Sequence, residues 1–159
     1  MLDADSTTNE ATSFRRHRHD VLNELQLVRG YLQMNQPEKA VRVVDRTAEW
    51  LQSLTRWQVS LDGVGEELMW VACMCPNVVL NAIKATEVPS PQILHSMKRW
   101  LSDVQVFLAE HGLRLHISVR VDTHIYIRIA ENDLPVSYAD WENDYLGLQF
   151  TAFKDACDG

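Results

Sequence analysis

Apolar residues recur with helical spacing in the first third of the chain. Between residues 13 and 34 their separations are seven, four, three and four, at Phe14, Val21, Leu25, Val28 and Leu32. This spacing predicts an amphipathic helix with Ser13 as its N-cap. Asn35 and Gln36 end that helix, and Pro37 suits the first turn of a second one that runs to about Ser60.

The second helix has an apolar stripe of its own, at Ala40, Val44, Thr47, Leu51 and Leu54. Two helices of roughly twenty residues joined by so short a turn must lie antiparallel. Leu22 and Leu27 flank the first stripe on opposite sides, so the first helix needs more than one neighbour. We therefore predict a homodimer in which two hairpins form a four-helix bundle.

The periodicity changes at residues 62–65, Asp-Gly-Val-Gly, which we interpret as a domain boundary. The elements predicted beyond it are a short helix at 66–74, an ambiguous segment at 77–86, a helix at 90–111 closed by Gly112, paired strands at 113–121 and 124–130, and a last helix or strand at 143–156. For 77–86 a strand is preferred to a helix. The predicted fold class is α+β, with a flexible tail at 1–12, the helical hairpin at 13–61 and a small α/β domain at 62–159.

Composition excludes several classes of function. The 159 residues include 46% hydrophobic ones and carry a net charge of −7, which disfavours a nucleic-acid partner. No apolar run is long enough to cross a membrane and no secretion signal is present, so we expect a cytoplasmic protein. The three cysteines and the scattered histidines lack ligand spacing, and no metal site is predicted.

One basic cluster, Arg15-Arg16-His17-Arg18-His19, is conspicuous on this acidic background. At about 100° per residue, His19 points away from the apolar stripe of its helix. The same polar face is predicted to hold Arg15, Arg16, Asn23, Gln26 and Gly30. His17 lies near the apolar stripe and is interpreted as a structural residue.

These residue types suit phosphoryl chemistry. A neutral imidazole is a nucleophile near pH 7, and His19 is the predicted reactive residue. Asp20 would orient its ring, and Arg15, Arg16 or Arg18 would offset charge on phosphoryl oxygens. Asn23 and Gln26 would hydrogen-bond a partner or position a water, while Gly30 would admit another molecule's backbone.

The segment from Arg18 to Val28, Arg-His-Asp-Val-Leu-Asn-Glu-Leu-Gln-Leu-Val, followed by Gly30-Tyr31-Leu32, resembles a known phosphoacceptor sequence. It is similar to that of the sporulation initiation phosphotransferase B family and of the related citrate- and dicarboxylate-type sensor kinases. The resemblance implies that His19 is phosphorylated and that Asp20 and Asn23 occupy the family's acidic and amide positions. It also implies dimerisation and a second domain like a histidine-kinase ATPase domain.

An ATP site is not expected to be intact. Residues 77–85 resemble the asparagine box of histidine kinases letter for letter, but the strand interpretation competes with a helical box. After Ile129 a kinase would have an aspartate followed by glycines, and this chain has no glycine between Ala130 and Pro135. We therefore predict a degenerate ATPase-like domain.

The predicted function is a phosphorelay step in which His19 exchanges phosphoryl groups with aspartates of response-regulator receiver domains. No cofactor is expected to be bound stably, and Mg²⁺ is expected at the regulator's own acidic site. Leu27 and Tyr31 are candidate apolar contacts for the regulator. The alternatives are an ATP-dependent sensor-kinase fragment, a module that binds a regulator without chemistry, and a phosphatase in which Asn23 places a water.

Overall fold

The structure is a computed structural model that describes residues 2–60, 64–130, 133 and 140–153, with the backbone alone for residues 2–9. Its elements in chain order are α1 (Leu2–Gln33), α2 (Pro37–Ser60), α3 (Val64–Ala72), β1 (Val78–Ala85), α4 (Pro91–His111), β2 (Leu115–Val121), β3 (Ile125–Ala130), α5 (Trp141–Asp144) and β4 (Leu148–Phe153). The predicted α+β class is confirmed, with two long helices first and a small sheet afterwards.

The turn between α1 and α2 follows from its residues. Asn35 adopts the left-handed conformation, with φ of 56°, which asparagine tolerates better than most residues. The next amide, that of Gln36, donates to the carbonyl of Tyr31 at 2.8 Å and closes the end of α1. Pro37 then begins α2, where a missing N–H costs nothing. The two helices form the predicted antiparallel hairpin.

The sheet has the order β1-β2-β3-β4. The β1/β2 and β3/β4 pairs are parallel, and β2 and β3 are antiparallel through the predicted turn. Parallel neighbours need a crossover, and α4 supplies the first one. Ser90 caps α4 by accepting from the amide of Ile93, and Gly112 ends it with φ of 63°. The predicted strand at 77–86 is confirmed, and the last segment contains both a short helix and a strand.

One core joins the hairpin to the sheet. It contains the inward faces of all four strands and the buried side of α4, together with three residues of α2, which are Trp50, Leu54 and Trp57. The predicted boundary at 62–65 therefore does not separate two cores. Residues 61–63 lie outside the described residues, while Val64 and Gly65 begin α3. Of the stripe predicted for α2, Leu54 belongs to this core, and the indoles of Trp50 and Trp57, which lie outside that stripe, complete the contact.

The start of α1 corrects a prediction. Residues 1–12 were predicted as a flexible tail, but the helix already begins at Leu2. The predicted N-cap, Ser13, lies inside the helix, where it is buried and its hydroxyl is 3.5 Å from the sulfur of Met74. Neither glycine nor proline interrupts residues 2–13, and the contact with Met74 after α3 supports the extra turns.

The apolar stripes of the hairpin are only partly covered. Val21 and Val28 are half-buried, while Phe14, Leu25 and Leu32 on α1 are exposed, as are Val44 and Leu51 on α2. The buried members of the stripes face the rest of the chain, and the others leave apolar side chains exposed on both helices of the hairpin. None of the described helices is long and apolar enough to span a membrane.

Candidate functional site

His19 stands on the exposed side of α1. Its side chain is 73% exposed, and its Nδ1 atom lies 3.4 Å from Nδ2 of Asn23 and 3.8 Å from Oδ1 of Asp20. Asn23 is one helical turn beyond His19, which brings the two side chains together. Asp20 is only 29% exposed, because it points toward the rest of the molecule.

This arrangement gives the two ring nitrogens different surroundings. Nδ1 lies closest to the side-chain amide of Asn23, while the carboxylate of Asp20, at 3.8 Å, is beyond hydrogen-bond distance. A nucleophilic Nε2 needs the ring proton on Nδ1, and the Asn23 amide then turns its oxygen to the ring as the acceptor. In that tautomer Nε2 has a free lone pair. The geometry therefore suits an imidazole whose Nε2 is the nucleophile, whose Nδ1 proton is accepted by Asn23, and whose positive charge during transfer is offset by the nearby carboxylate of Asp20.

The other predicted site residues lie on α1 around this ring. Arg15, Arg16, Arg18, Gln26 and Leu27 are exposed, and Gly30 is half-buried. A Cβ atom added to Gly30 would meet nothing within 4 Å. In the described structure, the residues predicted to form the polar face therefore lie on one side of α1. The side chain of Arg18 is not on this polar face, because it is about 100° round the helix from His19.

A groove beside His19 was not predicted. It has a volume of about 1140 Å³ and lies between the hairpin, α3 and α4. Arg16, Asp20 and Asn23 line one wall, and Lys98 and Gln105 of α4 line the opposite wall. Its walls come from distant segments, so no local pattern could have revealed it. Any molecule that reaches His19 from this side meets the C-terminal half of the chain.

A polar network ties the site helix to the sheet. Glu24 of α1 accepts from Arg46 at 2.6 Å and from Thr47 at 3.2 Å, both on α2. One turn further along α2, Glu49 contacts both Arg114 and Nε2 of His116.

His116 also lies between two carboxylates, since its Nδ1 atom is 2.8 Å from Asp133. Spacing alone had left His116 without a role. Its partners are 67 and 17 residues away in the chain, a separation that sequence reading cannot bridge. The network fixes α2, and through Glu24 the site helix, against the sheet.

Comparison with known families matches residues 5–57 to the sensor kinase SpoOB-type alpha-helical domain. The hairpin is similar to a SpoOB-type alpha-helical domain. The resemblance found in the phosphoacceptor segment is thereby confirmed over the whole hairpin. Comparisons with curated proteins and with solved structures found no match.

The matched domain is described as part of a sensor kinase, and the match is limited to about a third of the chain. It covers the hairpin that carries His19 and ends within α2. Within this hairpin the second histidine, His17, has a different environment from His19. It is half-buried against Trp50, and burial lowers the pKa of its ring in spite of the opposing effect of Asp20.

Asn77, in the segment that resembles the asparagine box, and the neighbouring helix α4 make structural contacts. The amide of the Asn77 side chain donates to the carbonyl of Leu113 at 2.7 Å, and its oxygen accepts from Gln105 at 2.9 Å. Asp103 on α4 accepts from the hydroxyl of Tyr145 at 2.7 Å. Most of the glycine-free segment after Ala130 lies outside the described residues. Within the described part, no group of three or more His, Cys, Asp or Glu side chains is arranged to hold a metal ion.

Proposed function

We propose that this protein relays phosphoryl groups between aspartates of response-regulator receiver domains through a phosphohistidine at His19. The observation that carries the proposal is the exposed imidazole whose Nδ1 faces Asp20 and Asn23, which leaves Nε2 free for attack. The match of the hairpin to a SpoOB-type domain supports the same chemistry.

The transfer step needs no cofactor bound to this chain. The Nε2 lone pair of His19 attacks the phosphorus of an aspartyl phosphate, an N–P bond forms, and the P–O bond to the aspartate breaks. The aspartate leaves as a carboxylate, the proton on Nδ1 stays on the ring, and the nearby carboxylate of Asp20 offsets the charge of the imidazolium. Arg15 and Arg16, on the same face, offset charge on the phosphoryl oxygens. Mg²⁺ at the regulator's acidic site belongs to the partner, and the reverse reaction uses the same groups.

The proposal includes a homodimer. Phe14, Leu25 and Leu32 on α1 and Val44 and Leu51 on α2 are exposed apolar side chains, and a contiguous apolar surface is normally covered by a partner. Two hairpins packed through these stripes make the four-helix bundle that the sequence predicted. His19 is on another side of α1, so its ring stays exposed in such a dimer.

A relay is favoured over an ATP-driven kinase. Asn77 is engaged by Gln105 and Leu113 rather than facing an open cleft, and β1 occupies the segment that resembles the asparagine box. The kinase and the inert binding module stay as alternatives that an experiment separates. We expect no phosphoryl transfer from ATP alone.

The test is transfer from a receiver domain labelled on its aspartate. Wild-type protein should become labelled, and His19→Gln should not. His95→Gln is the matched control, because His95 is an exposed histidine on α4, and it should behave as wild type. Labelling from ATP alone would establish the kinase, binding without transfer the inert module, and release of inorganic phosphate the phosphatase.

A further inference from the structure

One face of the sheet is covered by the core and the other is open. In β2 the buried residues alternate with His116, Ser118 and Arg120, so these three point to the opposite side. Near the start of β2, this second face of the sheet meets α2 through His116 and Glu49. Toward the end of β2 and on the neighbouring strands, the side chains of this face are exposed; they include Lys84, Arg120, Arg128, Gln149 and Thr151.

Three cations lie close together on this open face. Lys84 is paired with Arg120 across β1 and β2, and Arg128 follows in the next row, opposite Ser118. Neighbouring strands are about 4.8 Å apart, so the three charges occupy a small area. We call this area the cationic sheet face, defined by Lys84, Arg120, Arg128 and the two rings Tyr126 and Phe153.

Both guanidinium groups on this face are held by aromatic rings. That of Arg120 lies 4.3 Å from the ring centre of Tyr126, and that of Arg128 lies 5.0 Å from that of Phe153. Stacking on a ring fixes the plane of a guanidinium and leaves its N–H edge free. Such an edge is preorganised for a carboxylate or a phosphate.

The cations are weakly neutralised. Arg120 is 60% exposed and its nearest carboxylate, that of Asp122, lies at 4.0 Å. Lys84 and Arg128 form no ion pair with a described residue. A compact area of positive charge is unusual on a chain with a net charge of −7. The surface that is electrostatically complementary to this face is an anionic one.

We propose that the cationic sheet face is a docking surface for a carboxylate-rich segment of a partner protein. Charge complementarity selects an acidic partner, and the free guanidinium edges suit bidentate contacts with carboxylates. A nucleic acid fits less well, because a base would need an open ring and the rings of Tyr126 and Phe153 are stacked by arginines. The net negative charge of the chain also opposes a long run of phosphates.

The proposed surface is separate from the phosphoacceptor face. His19 is on α1, and the cationic sheet face is formed by strands of the C-terminal half. Its occupant therefore need not be the receiver domain that exchanges phosphoryl groups. The proposal therefore gives the C-terminal half, for which no ATP role is proposed, a binding function that does not involve His19.

The test uses the full chain and two dye-labelled probes of equal net charge, an oligoglutamate peptide and an oligothymidylate. Anisotropy at low salt should show binding of the peptide in preference to the oligonucleotide, and added salt should weaken it. The Arg120→Gln, Arg128→Gln double variant should lower the peptide affinity at least about fivefold, since two exposed charge pairs are lost.

A charge-matched control removes two arginines elsewhere. Arg99 is stacked on Tyr145 at 5.1 Å, and Arg42 is exposed on α2, so the Arg42→Gln, Arg99→Gln double variant loses the same charge and one arginine–ring pair. It should bind the peptide with nearly wild-type affinity. The His19→Gln variant should also bind normally, which separates this surface from the phosphorelay.

Amide NMR shifts locate the bound peptide. Shifts confined to β2, β3 and β4 around Arg120 and Arg128 would support the proposal. It is overturned if the wild-type chain fails to bind the peptide, if both double variants lose the same affinity, if the oligonucleotide is preferred, or if shifts occur only around Arg15 and Arg18.

Discussion

The imidazole of His17 packs edge-on against the indole of Trp50, with ring centroids 4.9 Å apart and an interplanar angle of 68°. Because of this contact, two histidines that are only two positions apart on α1 have different environments. His17 turns toward α2 and is half-buried, while His19 turns to solvent. No hydrogen-bond partner meets the buried Nδ1 of His17 in the described structure. The contact makes His17 a packing residue and leaves His19 as the reactive candidate.

His17 should contribute to the pH dependence of stability. Burial lowers the pKa of its ring below the ordinary value of 6.5, so below that value the unfolded chain binds more protons than the folded chain. The contribution of His17 to stability is therefore complete above about pH 6.5 and is lost as the pH falls through and below it. Urea unfolding of wild-type protein and His17→Phe between about pH 7 and about pH 5 measures this.

The His17→Phe variant should keep the ring contact with Trp50, remove the unpartnered nitrogen and show a shallower loss of stability in acid. Because many carboxylates also titrate, the decisive quantity is the difference between variant and wild type at each pH. His95→Gln serves as a control for an exposed histidine. Equal slopes in wild type and His17→Phe would contradict the account of His17.

Asn23 should act on transfer rather than on stability. Its Nδ2 atom is 3.4 Å from Nδ1 of His19, and both side chains are exposed. Loss of one orienting hydrogen bond of about 0.5–1.5 kcal/mol predicts that Asn23→Ala slows transfer about two- to tenfold. Rapid-quench measurement of His19 labelling gives the rate, and the midpoint of urea unfolding should stay unchanged. Faster loss of label as inorganic phosphate in wild type than in the variant would instead assign Asn23 to a phosphatase.

Gly30 should show opposite effects on stability and on partner binding. An added Cβ meets nothing within 4 Å in the chain, and alanine favours a helix over glycine by about 1 kcal/mol. Gly30→Ala should therefore stabilise the fold by about that amount in urea unfolding. If the glycine admits a receiver domain to the face of His19, the same variant should bind that domain more weakly in calorimetry. Unchanged receiver affinity would remove Gly30 from the docking face.

The apolar surface of the hairpin should control assembly. Leu25 is 56% exposed on α1, and a charge placed there would be buried in the proposed dimer. Leu25→Glu should raise the dimer dissociation constant at least about tenfold, which corresponds to about 1.4 kcal/mol. Sedimentation measures this, with Val106→Glu as the control because Val106 is 59% exposed on α4. A wild-type chain that is monomeric at all concentrations would rule out the bundle.

Local patterns determined most of the elements and the candidate residues. Helical spacing located α1 and α2, Ser90 and Gly112 marked the ends of α4, and alternation identified β2 and β3, because each signal depends on neighbours within a few residues. The segment from Arg18 to Val28, with Gly30-Tyr31-Leu32 after it, indicated the family that the hairpin resembles, which the match over 5–57 confirmed. The position of His19 on a polar face also followed from the helix period alone.

Tertiary structure decided what depended on distant residues. The Met74 contact extends α1 over Ser13, where composition had suggested a loose tail. Trp50 and Trp57 join α2 to the core of the sheet, so a glycine-rich stretch that looked like a domain boundary separates no cores. His116 gains partners 17 and 67 residues away, and the cationic sheet face forms only when three strands align their arginines and lysine. Contacts between segments far apart in the chain have no period, so only the folded chain could reveal them.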